Sequence, residues 1–168
     1  ETAHTTRKKR GGSKDYYIFT SEDDFKNKVS NDFFLEHALV HGNFYGTSKD
    51  FVETKIAEGI NIILEIDVQG VQQIKSTNFA HESIFLLPPS IDSLTERLNE
   101  RGTNSKESIE LRLSNAMKEI PSCKDYDHIL VNDVFEDCCN DLARIITGED
   151  SFPMNSKKEL FLTKLLNS

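Results

Sequence analysis

The sequence has no apolar run approaching the ~18 residues of a membrane-spanning helix, so none is expected. Its opening residues, ETAHTTRKKRGG, are polar and basic and lack the apolar core of a secretory signal. Cysteine is sparse: Cys123, Cys138 and Cys139 have neither zinc spacing nor the pattern of a disulfide framework, which fits a reducing compartment. The five histidines are scattered and compose no metal motif. No internal repeat occurs. With these absences, a cytoplasmic location is the default expectation.

What is present bounds the rest. A chain of 168 residues is one domain, or one domain with a small lid, and can bury a sizeable core. A net charge of −8 with 37% hydrophobic residues implies a soluble protein and argues against nucleic acid as a partner. Arginine is scarce and unevenly placed. Of 20 basic residues six are Arg, with Arg7 and Arg10 near the start and Arg97, Arg101 and Arg112 on predicted helices. The guanidinium fork suits phosphate, so this placement suggests a small polyanion as ligand. Ordinary pairing along a helix face is the alternative, since Glu96 and Glu100 alternate with Arg97 and Arg101.

The stretch Ile62 to Gly70, IILEIDVQG, is the centre of the reading. An apolar run leading into two carboxylates resembles a buried parallel strand that ends at a ligand crevice. Glu65 and Asp67, two residues apart, would share a face of that strand. Either they build a polar or metal site, or they cap the next helix and face water.

Along the chain, residues 1–14 read as irregular and Tyr16 to Thr20 as a strand. Ser21-Glu22-Asp23-Asp24 is a capping box opening a helix over Phe25 to Val29. Phe33 to Val40 reads as a strand carrying one acid, Glu36. Gly42 to Gly46 reads as a turn, followed by a helix capped by Thr47 or Ser48 and ending near Gly59. A short helix is expected from about Val71 to Ser76, then a strand over Ser83 to Leu87 stopped by Pro88-Pro89. Helices follow over Ile91 to Arg101 and from Ser105 to about Ile120, the second turning Ile109, Leu113 and Met117 inward. A last strand covers Ile129 to Val131 and a last helix Phe135 to Ile146. Alternating strands and helices imply an α/β fold with a parallel sheet. Residues 149–168 are a tail to which the sequence assigns no role.

The stretches TTRKKR, FLEHALVHGNFYGTS, ILEIDVQG, SIFLLPPS, LTERLNERGTNSKESIELRL and ILVND, in that order, resemble the guanylate kinase family of nucleoside monophosphate kinases. The resemblance implies a P-loop NTPase-like α/β fold: a parallel sheet flanked by helices, a small mixed GMP-binding subdomain over 4–60 and a helical lid over 97–112. The family-like domain spans 1–148. The implied activity, in purine nucleotide metabolism, is transfer of the ATP γ-phosphoryl group to GMP with Mg²⁺. Implied partners are GMP and ATP, with no nucleic acid and no membrane, in a monomer or homodimer.

The resemblance also implies roles. Arg7, Arg10, Tyr45 and either Tyr16 or Tyr17 would hold the GMP phosphate; counting back from Phe25 favours Tyr17. Glu36 and Thr47 would read the guanine, with Glu65 and Asp67 organising the base and Mg²⁺. Arg97 and Arg101 match the lid over the ATP phosphates, Arg112 an arginine that closes on the transferring group, and Asn132 a position near the adenine. Ala3 stands where the family usually carries a serine that touches guanine, a loss of ~1 kcal/mol.

No string G-x-x-x-x-G-K-[ST] occurs in the sequence, although the family carries this phosphate-binding loop upstream of the position matching Glu1. The chain is therefore expected to be the downstream part of a longer one. By itself it is expected to bind GMP weakly without transferring phosphate. A catalytically inactive guanylate-kinase-like module that binds phosphorylated peptides is the alternative reading.

Overall fold

The computed structural model describes residues 2–3, 17–40, 42–100 and 106–167, with only the backbone of residues 2, 3 and 17. The chain divides into two compact units, Glu1–Ala80 and His81–Ser168.

The first unit is built on a four-stranded sheet in the order β2-β1-β4-β3. Its strands are Thr2–Ala3 (β1), Tyr17–Ile18 (β2), Phe34–Val40 (β3) and Asn43–Ser48 (β4). β1 runs parallel to β2 and antiparallel to β4, which is antiparallel to β3. The helices Glu22–Ser30 (α1), Lys49–Ala57 (α2) and Val68–Lys75 (α3) begin where short polar side chains satisfy orphan backbone donors. Asp24 N–H donates to Ser21 Oγ over 3.1 Å, Phe51 N–H to Ser48 Oγ over 3.3 Å, and Gly70 N–H to Asp67 Oδ1 over 3.0 Å. α2 ends where Gly59 takes φ +76°, a left-handed backbone suited to glycine.

Two apolar clusters hold this unit. Phe25 of α1, 1% exposed, stacks on Phe34 at 4.7 Å and on Phe44 at 5.2 Å between ring centroids. The other cluster gathers Leu35, Val52 and Ile74, with Ile62, Leu64 and Ile66 packed against it.

Three expectations for this unit are corrected. The segment read as a turn, Gly42 to Gly46, is largely strand; the chain reverses at Gly42, whose φ is +82°. Gly46 belongs to β4 because the Phe34 ring lies on it, so the glycine serves close approach instead of reversal. The segment Ile62–Ile66, read as a buried strand, pairs with no described strand. Its side chains alternate between exposed and half-buried, and Ile63 is 69% exposed. A strand requires a partner, which an apolar run cannot supply by itself. α3 also starts at Val68, three residues before the expected position, because Asp67 caps it.

The Gly46–Phe34 contact carries a prediction. A Cβ on Gly46 would lie 2.7 Å from Phe34 Cδ1, and that ring is backed by Phe25. Gly46→Ala is expected to cost about 1–3 kcal/mol of stability, as overpacking does. An unchanged urea midpoint would contradict this account of the packing.

The second unit contains a parallel pair, Ile84–Leu87 (β5) and His128–Val131 (β6), in register from Ile84 opposite His128 to Leu87 opposite Val131. The crossover carries Ile91–Glu100 (α4), Lys106–Glu119 (α5) and a 3₁₀ turn over Ile120–Asp125; Phe135–Ile146 (α6) and Ser156–Leu166 (α7) follow β6. α5 has no fully buried residue, so Ile109, Leu113 and Met117 are half-buried rather than core.

The tail proves structural. Leu162 and Leu165 of α7 belong to the core with Leu87, Ile120, Cys123 and Ile129. The approach to α7 is fastened to β6 at one residue. Ile129 N–H donates to Phe152 O over 2.6 Å, and Phe152 N–H to His128 Nδ1 over 3.1 Å. With Nδ1 accepting, the ring proton sits on Nε2 and faces Glu82 Oε2 at 3.1 Å.

Candidate active site

Sheet register assembles the first part of the site. Glu36 lies opposite Thr47, Thr47 opposite Thr2, and Thr2 opposite Tyr17, so one rung crosses all four strands. Glu36 is only 4% exposed, and Thr47 is equally buried. The Thr47 hydroxyl donates to Glu36 Oε1 over 2.5 Å, and the Thr47 N–H also donates to this carboxylate. Tyr45, half-buried and two residues before Thr47 on β4, shares its face of the sheet.

Burial pushes the Glu36 carboxyl above its ordinary value. The Thr47 hydroxyl opposes that shift, the nearby Asp67 charge adds to it, and the Thr47 N–H opposes it again. The upward causes win. A carboxylate so placed, which accepts from the Thr47 hydroxyl and N–H, is stabilised by any ligand that brings further N–H groups.

The other acids of this unit lie differently. Asp67 is half-buried and caps α3, its Oδ2 accepting from Gln69 Nε2 at 2.9 Å. Glu65 is exposed. Of the two readings of this pair, capping describes Asp67.

In the second unit the structure brings Arg97 and Asn132 together. Arg97 Nη1 donates to Asn132 O over 2.8 Å and Nη2 to Asp133 O over 3.4 Å, so this guanidinium is partly committed to backbone carbonyls. Arg112, half-buried on α5, is different: its Nε is buried and has no hydrogen-bond partner among the described residues. Buried donors are nearly always paired, so a guanidinium N–H without a described partner suits an anion. Arg7, Arg10, Tyr16 and Arg101 lie outside the described residues, and for Tyr17 only the strand register is described.

Sequence reasoning passed over two residues beside Glu36. Gly70 lies against its carboxylate, and Gln73 bonds to the main chain of the next residue, His37. A glycine inside an otherwise helical pattern was the available signal. Among the described residues no group of three or more His, Cys, Asp or Glu could hold a metal ion, and no helix is long and apolar enough to cross a membrane.

In the first unit a buried carboxylate with threonine donors suits a ligand that brings N–H groups, and in the second an arginine whose Nε has no partner among the described residues suits an anion. Both are chemistries that a nucleotide-binding phosphotransferase needs. The guanylate kinase family profile matches residues 2–149. The guanylate kinase of Escherichia coli K12 is 44% identical over 149 residues, covering 88% of this chain and 72% of the relative. That of Buchnera aphidicola (from Acyrthosiphon pisum) is 41% identical over 168 residues, covering 98% of this chain and 81% of the relative. The crystal structure of guanylate kinase from Anaplasma phagocytophilum superposes with a TM-score of 0.70 at 28% identity, covering 98% of this chain and 83% of that one. The chain belongs to the guanylate kinase family.

Proposed function

We propose that this protein transfers the γ-phosphoryl group of ATP to GMP, giving ADP and GDP, in the purine nucleotide metabolism of the cytoplasm. The observation that carries this reading furthest is Glu36, an acid held in a buried place by Thr47. Guanine presents a ring N–H and an exocyclic amine on one edge, and a carboxylate accepts both. Adenine offers no such pair, so AMP would leave Glu36 desolvated and unmatched, at a cost of about 3–5 kcal/mol by analogy with broken buried ion pairs.

The remaining assignments follow from the chemistry of each side chain. Arg7 and Arg10 fork onto the GMP phosphate, with the hydroxyls of Tyr17 and Tyr45 completing its shell, in an acceptor subdomain over 4–60. Asp67, as the cap of α3, and Glu65 border the acceptor. In the other unit Arg97 and Arg101 serve the ATP phosphates from the lid over 97–112. Asn132 lies toward the adenine, and Arg112 neutralises charge on the transferring group. Phosphoryl transfer leaves little covalent chemistry to the protein, so positioning and charge stabilisation carry the step. Mg²⁺ enters with ATP as part of that substrate, bound by phosphate oxygens and water, and neutralises phosphate charge.

The test is a coupled assay of the full-length chain with ATP plus GMP against ATP plus AMP. GDP formation with strong preference for GMP is expected. No GDP formation would overturn the reading and favour a phosphopeptide-binding module, which no feature of the described residues supports over catalysis.

A further inference from the structure

We propose that Gly70 and Gln73, both on α3, are positioning residues that aim the Glu36 carboxylate and thereby set the preference for guanine. This inference rests on the reading of Glu36 as the group that meets the base.

Thr47 controls one oxygen of Glu36. The other, Oε2, lies against the α3 backbone, 2.7 Å from where a Cβ on residue 70 would stand. No real Cβ tolerates that separation, so only glycine lets the carboxylate rest there. The Gly70 backbone is anchored, because its N–H donates to the cap residue Asp67. The same Cβ would meet Ile66 Cβ and Cδ1 at 3.2 Å, a tight but yielding contact. The carboxylate is thus the part that would move.

Gln73, nearly one turn further along α3, fixes the strand from which Glu36 projects. His37 N–H donates to Gln73 Oε1 over 3.0 Å, and Gln73 Nε2 donates to His37 O over 2.7 Å. β3 is the edge strand of its sheet, so this side-chain amide occupies the place of a missing neighbour strand. One helix thereby holds the backbone beside Glu36 and clears the space that its carboxylate fills. Glycine inside a helix is otherwise disfavoured relative to alanine, so its presence here calls for a local reason.

The test is calorimetric titration of GMP, IMP and ATP into the wild-type chain, Gly70→Ala, Gln73→Met, Glu36→Gln and the double variant Glu36→Gln/Gly70→Ala. Misplacing a reading group by a fraction of an ångström to an ångström can cost about ten- to a hundredfold, and Gly70→Ala is expected to lose GMP affinity on that scale. ATP affinity and the melting temperature should hold. The preference for GMP over IMP, which lacks the exocyclic amine, should narrow, an effect that a general loss of packing would not produce. In the Glu36→Gln background Gly70→Ala should add no further loss. Should Gly70→Ala fail to fold, Gln73→Met, which keeps the shape of the side chain, carries the same expectation for GMP and IMP. A wild-type chain that binds GMP while Gly70→Ala or Gln73→Met binds it equally well would overturn this inference and leave the proposed function standing. Additive losses in the double variant would also overturn it. A wild-type chain that binds no GMP would overturn both.

Discussion

Glu36→Gln is expected to raise the KM for GMP at least about a hundredfold, on the scale of about 3–5 kcal/mol for a broken buried charge pair, while the KM for ATP stays near its original value. Gln can still accept from the Thr47 hydroxyl, but its amide NH₂ would face a donor on guanine where the carboxylate offered a lone pair. The free protein should respond in the opposite direction. The Glu36 carboxyl titrates above its ordinary value because it is buried, so the folded chain holds its proton more tightly than the unfolded chain. From the ordinary carboxylate value up to the raised one, the folded state retains a proton that the unfolded state has released, and stability falls as pH rises. Above the raised value the full cost of the buried charge is present. Glu36→Gln removes that cost and is expected to melt higher near neutral pH. GMP binding requires the ionised acid, so wild-type affinity should rise with pH across the window in which stability falls. Melting curves and GMP calorimetry at several pH values check both slopes. Equal effects on the two KM values, or a GMP affinity indifferent to pH there, would remove Glu36 from the base.

Arg112→Ala is expected to lower kcat by about 10³-fold or more, the scale on which an arginine closing on a transferring phosphoryl group acts, with little change in GMP affinity. The physical basis is the buried Nε with no partner among the described residues. Leaving a donor unmade costs about 1–3 kcal/mol, more when the group is charged, and α5 contributes no fully buried residue that would make this arginine a packing element. Its removal should therefore leave stability unchanged or slightly raised, whereas a structural arginine would take the fold with it. Arg112→Lys, which keeps the charge without the fork, should fall between wild type and alanine. Steady-state turnover in the full-length chain, beside GMP calorimetry, separates the cases. Unchanged turnover in Arg112→Ala would place the residue outside the reaction.

Two kinds of information divide between chain and fold. Signals acting over a few residues were legible: Ser21 and Ser48 begin their helices by bonding N–H groups three residues on, and β5 ends at Pro88-Pro89, whereas the cap at Asp67 was one of two open readings. So was the ordered set of motifs that resembles the guanylate kinase family, because it specifies residue types at fixed spacing and needs no geometry. Apolar periodicity was a weaker guide. It suggested a buried strand over Ile62 to Ile66, where the side chains in fact alternate between exposed and half-buried, and it passed over the buried leucines of α7.

By itself, then, the chain determined where most helices start and the family to which it is similar, and it named the residues proposed to hold a nucleotide. Only tertiary structure decided that Glu36 is buried with Thr47 as its donor, that Gly70 makes room for its carboxylate, that Arg97 leans on the carbonyls after β6, and that Arg112 Nε is buried without a partner among the described residues. The reason is one of range. Caps and turns act between near neighbours along the backbone, whereas burial, register and close approach depend on residues tens of positions away, and it is these that set the charge and direction of a functional group.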